Sequence, residues 1–356
     1  MSEQEYGISQ VYPGDRWTMG EVEKLLHAEG IRLDPHLDYT CAMSDSDGRV
    51  IGTGSCFGNT LRCFAVSREH QGEGLMNQII SHLIQVQYER GNLHLFLYTK
   101  CDSAKFFGDL GFYEIARVEE QNLVFMENRR TGFADYLKAL ENASAGVPSA
   151  PPAETAAVVM NANPFTLGHR YLVEKAAAEN QRVHLFMVSE DASLVPFRVR
   201  EKLVREGTAD LGNLIYHESG PYIISSVTFP SYFQKDAESV IRGHALLDLT
   251  VFIRIARALG IGRRYVGEEP RSLVTGIYND VMKEKLPEAG IGCRVIPRKE
   301  AGGEVISAST ARQALKDGDL ETFRKLVPET TYAYFTSPEA EPVLRRIRSE
   351  KNVIHY

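Results

Sequence analysis

The stretch Val158–Ala178, VVMNANPFTLGHRYLVEKAAA, decides how the carboxy-terminal part of this chain folds. It opens inside the run Ala156–Met160, which is apolar on both faces, as a strand buried on both sides must be. A tight loop containing Pro164 follows, and from about Leu167 the spacing is that of a helix. In open parallel sheets, ligands sit beyond the carboxyl ends of the strands, and such a strand–helix turn is the favoured place. Unpaired amides at the helix start, with the dipole behind them, favour a phosphate there. Gly168 is expected to let that phosphate approach the backbone, and His169 to point at it from the first helical turn.

Downstream the alternation continues. Helix 168–179, strand Val183–Val188, helix 198–210 and strand Leu214–His217 lead to helix 245–259, strand Arg264–Gly267, helix 275–285 and strand Cys293–Ile296. Helices then fill 309–317, 319–326 and 339–349. This pattern predicts an α/β fold, a doubly wound, Rossmann-like parallel sheet with helical additions at its end. Upstream, Glu141–Thr155 reads ENASAGVPSAPPAET, with Val147 its only aliphatic residue larger than Ala. Such a segment buries too little surface to order itself and reads as a linker. Domains at 1–140 and 155–356, joined by 141–154, follow.

The first domain reads as a mixed α+β sheet. Leu37–Met43 and Val50–Phe57 flank a turn holding Asp47-Gly48, a hairpin signal. Leu61–Val66 is a third strand, Leu75–Arg90 an amphipathic helix, Leu93–Tyr98 a strand, and Asp102–Asp109 a short helix. Phe112–Val118 and Leu123–Glu127 close with an antiparallel pair.

Composition narrows the classes. A hydrophobic share of 43% and a charged share of 24% are those of a globular protein of two domains at 356 residues. A net charge of -7 speaks against a general nucleic-acid binder. Met1–Arg16 lacks the apolar run of a signal peptide, and no stretch approaches the roughly 20 apolar residues that span a bilayer. Cys41, Cys56, Cys63, Cys101 and Cys293 are odd in number and lack CxxC spacing, so reduced thiols in a cytoplasmic setting are expected. No His/Cys cluster suggests a protein-held metal.

A second constellation, EVISASTARQAL at Glu304–Leu315, precedes a helix that Ser307 or Ser309 can cap. Arg312 lies three residues beyond Ser309, and a guanidinium fork suits a leaving pyrophosphate. Between the two constellations, Lys235 offers a cation, and Gly267 in VGEEP, at a strand's carboxyl end, is placed for a nucleotide's base or ribose.

Three resemblances follow from these residues. TLGH resembles the HxGH pattern of the nucleotidylyltransferase superfamily, with Thr166 in the first histidine's place, and ISASTAR resembles its ISxSxxR motif. The resemblance implies ATP binding by Asn161, Asn163, Phe165, Gly168, His169, Gly267, Ser307, Ser309 and Arg312, with Lys235 as a further candidate. Thr166 and His169 would then act at the α-phosphate. Val66–Ile84, with Gln71-Gly72-Glu73-Gly74 before its helix, resembles the pyrophosphate turn of the GNAT acetyltransferases. Met76 departs from that family's small final residue. The order of the two domains, with NPFTLGHRYLVEKA, YIISSVTFPSYF, VTGIYND and VPETTYAYF, resembles the citrate lyase ligases.

That last resemblance implies a ligase that consumes ATP, with Mg2+, and acetate. It forms acetyl-AMP with release of pyrophosphate. The acetyl group then passes to the thiol of the phosphoribosyl-dephospho-coenzyme A arm on the acyl carrier subunit of citrate lyase, an arm that Gln71, Gly72 and Gly74 would hold. The residues alone also admit a cytidylyl- or adenylyltransferase of a phosphate monoester, a tRNA acetate ligase, or a carrier-binding module without activity.

Overall fold

The computed structural model describes residues 6–189, 193–223, 237–268, 273–301 and 304–353. They form two compact units: residues 6–133 with 237–247, and residues 134–223 with those described from Asp248 onward.

The first unit runs β1 (Gly7–Gln10), α1 (Arg16–Ala28), β2 (Tyr39–Ser44), β3 (Val50–Phe57), β4 (Thr60–Val66), α2 (Leu75–Glu89), β5 (Phe96–Thr99), α3 (Ala104–Asp109), β6 (Tyr113–Val118) and β7 (Leu123–Glu127). Its sheet has the order β1-β2-β3-β4-β5-β7-β6. Neighbours are antiparallel except β4 and β5, which run parallel and pair only at Thr60↔Phe96 and Leu61↔Leu97. Helix α2 packs closely on β3. A Cβ added at Gly52 or Gly54 would come within 2.7 or 2.6 Å of the Ile79 side chain. Small residues at these positions let the helix lie on the sheet.

The second unit contains α4 (Gly132–Ala143, from Ala134 on), β8 (Thr155–Met160), α5 (Leu167–Glu179), β9 (Arg182–Met187), α6 (Phe197–Gly207), β10 (Leu214–Glu218), the later part of α7 (Ala237–Leu259), β11 (Arg263–Gly267), α8 (Leu273–Glu288) and β12 (Gly292–Ile296). A small ladder of β13 (Glu300–Ala301) and β14 (Glu304–Val305) precedes α9 (Ala308–Asp317), α10 (Leu320–Leu326), α11 (Glu329–Phe335) and α12 (Glu341–Ser349). The five strands β10-β9-β8-β11-β12 are all parallel. One core joins Val158 and Phe165 near the central strand to Ile306, Phe323, Phe335 and Ile347 in the final segments. The doubly wound reading therefore holds; α4 and α11 are added to this unit, and β1 and α1 to the first.

The Ala/Ser/Pro-rich stretch has more local order than its composition suggests. Arg182 donates to the carbonyls of Val147, at 3.1 Å, and Pro148, and the Thr155 hydroxyl donates to that of Pro151 at 3.0 Å. Bonds to backbone carbonyls need no apolar side chains. Within the same unit, Tyr136 of α4 packs on Tyr222 with ring centroids 4.8 Å apart and donates to the Glu218 carbonyl.

His184 of β9 and His217 of β10 are buried side by side, with Nδ1 of the first 2.9 Å from Nε2 of the second. Burial first, then its partner ring and Arg182, holds His184 below the usual imidazole range; burial and Arg205 do the same for His217. In the unfolded chain both titrate near 6.5. A depressed folded pKa contributes stability above that value and loses it as pH falls toward the folded pKa. Each ring then costs about 1.4 kcal/mol per pH unit. Denaturant midpoints are expected to drop from pH 6.5 to pH 5, and less steeply after His217→Asn. Midpoints flat across this window would contradict the assignment.

Candidate active site

Strand β8 is central in its sheet, with β9 on one side and β11 on the other. The winding reverses there, so the loop after Met160 opens into the crevice where ligands of such sheets bind. In that loop Ala162 takes φ of 51°, and the Asn163–Pro164 peptide is cis.

Two buried arginines grip the loop. Arg200 of α6, 1% exposed, donates from Nη1 to the Asn161 carbonyl (2.9 Å), to Asn161 Oδ1 (2.9 Å) and to the Val188 carbonyl (2.7 Å). Its Nε donates to the Val195 carbonyl. Arg312 of α9, 2% exposed, donates from Nη1 to the Asn163 carbonyl and from Nε to that of Val353. Asn161 also exchanges hydrogen bonds with Ser193, and Asn163 Oδ1 accepts the Val195 amide. Phe165 is fully buried.

Thr166 then caps α5, and its reciprocal bonds with His169 make a capping box. The Thr166 hydroxyl accepts the His169 amide at 3.3 Å and lies 2.9 Å from His169 Nδ1. The Thr166 amide, which can only donate, bonds Nδ1 at 3.1 Å. Nδ1 is therefore the unprotonated nitrogen, and the neutral ring carries its proton on Nε2. Burial, then the charges of Arg298 and Arg312, hold the imidazole down to about 4. At neutral pH the half-buried His169 is an uncharged donor with a fixed tautomer.

The two motifs meet at Gly168. A Cβ there would stand 3.1 Å from the Ile306 carbonyl oxygen and 3.6 Å from Thr166 Oγ1. Ser307 caps α9 by accepting the Thr310 amide at 3.1 Å, and its hydroxyl lies 2.9 Å from that of Ser309. Two helix starts, those of α5 and α9, are thus brought together. Each helix start carries amides and a positive dipole end of the kind that binds anions.

The expected site residues stand in different surroundings. The space beside Gly168 is taken by Ile306, so its lack of a side chain serves the meeting of the motifs rather than the approach of a phosphate. Thr166 is 1% exposed with its hydroxyl turned to His169, so it positions that ring. Asn161, Asn163 and Phe165 shape the loop from within. Arg312, expected on the β- and γ-phosphates, is buried against two carbonyls. His169, Ser307, Ser309 and Gly267 remain half-buried; Gly267 ends β11 beside β8, and its carbonyl accepts from Asn279. Lys235, with Thr228–Asp236 and Glu269-Pro270, lies outside the described residues.

The cation that sequence reasoning missed is Arg298. It follows β12, half-buried, with Nε on the Glu268 carbonyl at 2.7 Å, and its charge bears on His169. Its position just past a strand's carboxyl end was the available signal. The five cysteines are free thiols, and Cys41, Cys56 and Cys63 are buried. Burial pushes Cys41, Cys56 and Cys63 up to about 12, and it also raises Cys101 and Cys293.

Residues 155–335 match the model of the citrate lyase ligase C-terminal domain, and residues 5–113 that of the GNAT acetyltransferase family. A citrate (pro-3S)-lyase ligase of Haemophilus influenzae is 35% identical over 319 residues, covering 88% of this chain and 93% of that protein. One from Escherichia coli K12 is 37% identical over 333 residues, 92% and 93% of the two chains. The chain belongs to the citrate lyase ligase family. It is a ligase, with a GNAT-like first unit and a second that carries the citrate lyase ligase C-terminal domain.

In this family member the turn before α2 is open. Gly72 and Gly74 take φ of 90° and 78°, with nothing within 4 Å of where a Cβ would stand. Gln71 donates to the Val66 carbonyl, which fixes the turn on β4. Met76 packs on the apolar core. Glu73, whose carboxylate accepts the Tyr6 hydroxyl at 3.2 Å, adds a negative charge beside the helix start.

Proposed function

We propose that the second unit adenylates acetate and that the first presents the thiol which receives the acetyl group. The observation that carries this reading is the meeting of two helix starts around a neutral, tautomer-fixed histidine. An acetate oxygen attacks the α-phosphorus of ATP, the bond to the bridging oxygen breaks, and pyrophosphate leaves. His169 Nε2 donates to an α-phosphate oxygen as charge grows there, and Arg298 adds a cation beside it. Ser307, Ser309 and the α9 amides receive the β- and γ-phosphates. The thiolate of the carrier's prosthetic arm then attacks the acetyl carbonyl and AMP leaves. Among the described residues no group of three or more His, Cys, Asp or Glu is placed to hold a metal ion. Mg2+ in this proposal comes with the triphosphate, whose charge it neutralises.

The test is exchange of labelled pyrophosphate into ATP with a series of short acids. Acetate is expected to support exchange and longer acids to support it progressively less. Exchange that requires a phosphate monoester, or none with any acid, would overturn the reading. The same assay defines the catalytic domain. The second unit begins at Ala134, and α4 and residues 147–151 are bonded within it, so a protein starting there is the one to assay.

For the first unit, the proposal assigns Gln71, Gly72 and Gly74 to the pyrophosphate of the carrier's arm, with no transfer from acetyl-coenzyme A. The open turn and free helix start support it. Replacing Gly72 and Gly74 with leucine should lower thiol acetylation of the acyl carrier subunit while pyrophosphate exchange persists. Both activities surviving, or amine acetylation from acetyl-coenzyme A, would remove this role. No described helix is long and apolar enough to cross a membrane; a cytoplasmic setting belongs to the same proposal.

A further inference from the structure

We propose that residues 350–353 are a positioning element of the adenylate-forming site, acting through Arg312 on the loop that carries Thr166 and His169. The chain leaves α12 at Ser349 and returns toward α9. The Lys316 ammonium donates to the Lys351 carbonyl at 3.0 Å, and the Lys351 amide bonds the Glu350 carboxylate. Val353 is 1% exposed and shares the core of Phe165 and Ile306. Its carbonyl accepts Arg312 Nε, and Nη1 of the same guanidinium reaches the carbonyl of Asn163.

A guanidinium is a rigid, planar fork, so the bond at one tine sets the direction of the other. Withdrawing the Val353 carbonyl removes one of the bonds that aim the fork at Asn163. Only Pro164 and Phe165 separate Asn163 from the Thr166 cap. The Phe165 ring, fully buried, lies stacked 6.0 Å from that of His169. A shift at Asn163 therefore passes to the capping box. Val353 touches no reacting atom in this account; it positions, and Arg312 relays.

The inference rests on the role given to His169, and the test separates the two. A protein ending at Glu350, Arg312→Lys, and their combination are compared in three measurements: acetate-dependent pyrophosphate exchange, ATP affinity, and the imidazole nitrogen spectrum of His169. Turnover is expected to fall by about tenfold to a hundredfold, the scale for a displacement of about 1 Å. ATP affinity should change by less than about threefold, since the loss falls on the transition state. The combined variant should be no worse than the poorer single one, because both break one relay. The His169 spectrum should show mixed tautomers. If the shortened protein does not fold, Lys316→Met, which loosens only the Lys351 carbonyl, is measured the same way.

A moved spectrum with unchanged turnover supports the positioning and removes the catalytic role of His169. Unchanged turnover and spectrum overturn the proposal. So do multiplying defects in the combined variant, or a loss of ATP affinity confined to Arg312→Lys, which marks a direct phosphate contact.

Discussion

Replacing His169 with alanine is expected to lower the turnover of acetate-dependent pyrophosphate exchange by about a hundredfold or more, the scale for losing one preorganised donor to a developing anion. ATP affinity should change far less, because the α-phosphate oxygen gains charge only as pyrophosphate departs. The pH dependence gives a second signature. The ring's folded pKa is depressed to about 4, so it is neutral throughout the range near 7. His169 should therefore contribute no acid limb near pH 6.5, and the defect should be the same factor from pH 6 to 8. A growing defect toward acid would mean that an imidazolium does the work. The substitution also removes half of the capping box, at a cost on the order of 1 kcal/mol. Turnover and thermal stability must accordingly be measured on the same samples. Near-normal turnover in a folded His169→Ala protein would falsify the assignment of the TLGH loop.

Arg200→Ala is expected to produce the largest loss of stability. It leaves the carbonyls of Asn161, Val188 and Val195 without this donor, together with Asn161 Oδ1. Asn161 Oδ1 keeps the Ser193 donor; each of the three carbonyls left unmet away from water costs roughly 1–3 kcal/mol, so the sum is at least about 3 kcal/mol. At roughly 2–4 °C per kcal/mol for a unit of this size, melting should fall by about 6 °C or more. Arg200→Lys should recover only part, since an ammonium lacks the flat fork that serves several carbonyls at once. The site suffers with the fold, because Asn161 begins the loop. A melting point within about 2 °C of the parent would mean that water replaces the guanidinium without strain.

The contrast between these two residues shows what was legible. His169 stands in a local pattern of buried strand, short loop and helix start, and its partner Thr166 lies within one helical turn. Strand β3 was read from its ends, Val50 and Phe57, because a turn signal and alternation bound it. The roles of Arg200 and Arg312 were not legible in this way, since their acceptors are backbone carbonyls far along the chain. A carbonyl leaves no mark in a sequence. Helix α11, ETTYAYF, is rich in β-branched and aromatic residues that locally suit a strand. Its burial of Thr331, Tyr334 and Phe335 against the core makes it a helix. Helix α1 hid for the opposite reason. Its buried stripe is only Val22, Leu25 and Leu26, while Trp17 stands exposed. The turn at Gln71–Gly74 was visible, but the carboxylate of Glu73 acquires meaning only once Tyr6 is seen beside it.

The bond from Arg312 to Asn163 spans 149 residues, and the one from Arg312 to Val353 spans another 41. On a ribosome the TLGH loop therefore emerges long before the groups that hold it. The first unit's sheet is complete by Glu127 and can settle while synthesis continues, as amino-terminal domains generally do. The central strand of the second waits for β11, and its loop waits longer still, for α9 and the residues beyond α12. Until those arrive, the nascent chain displays an apolar strand, a half-formed turn and a histidine without a settled tautomer. Competence for nucleotide comes to the growing chain only after α9 and the residues beyond α12 have emerged. A protein released early, with every motif already present, would carry the signature of a ligase without its chemistry.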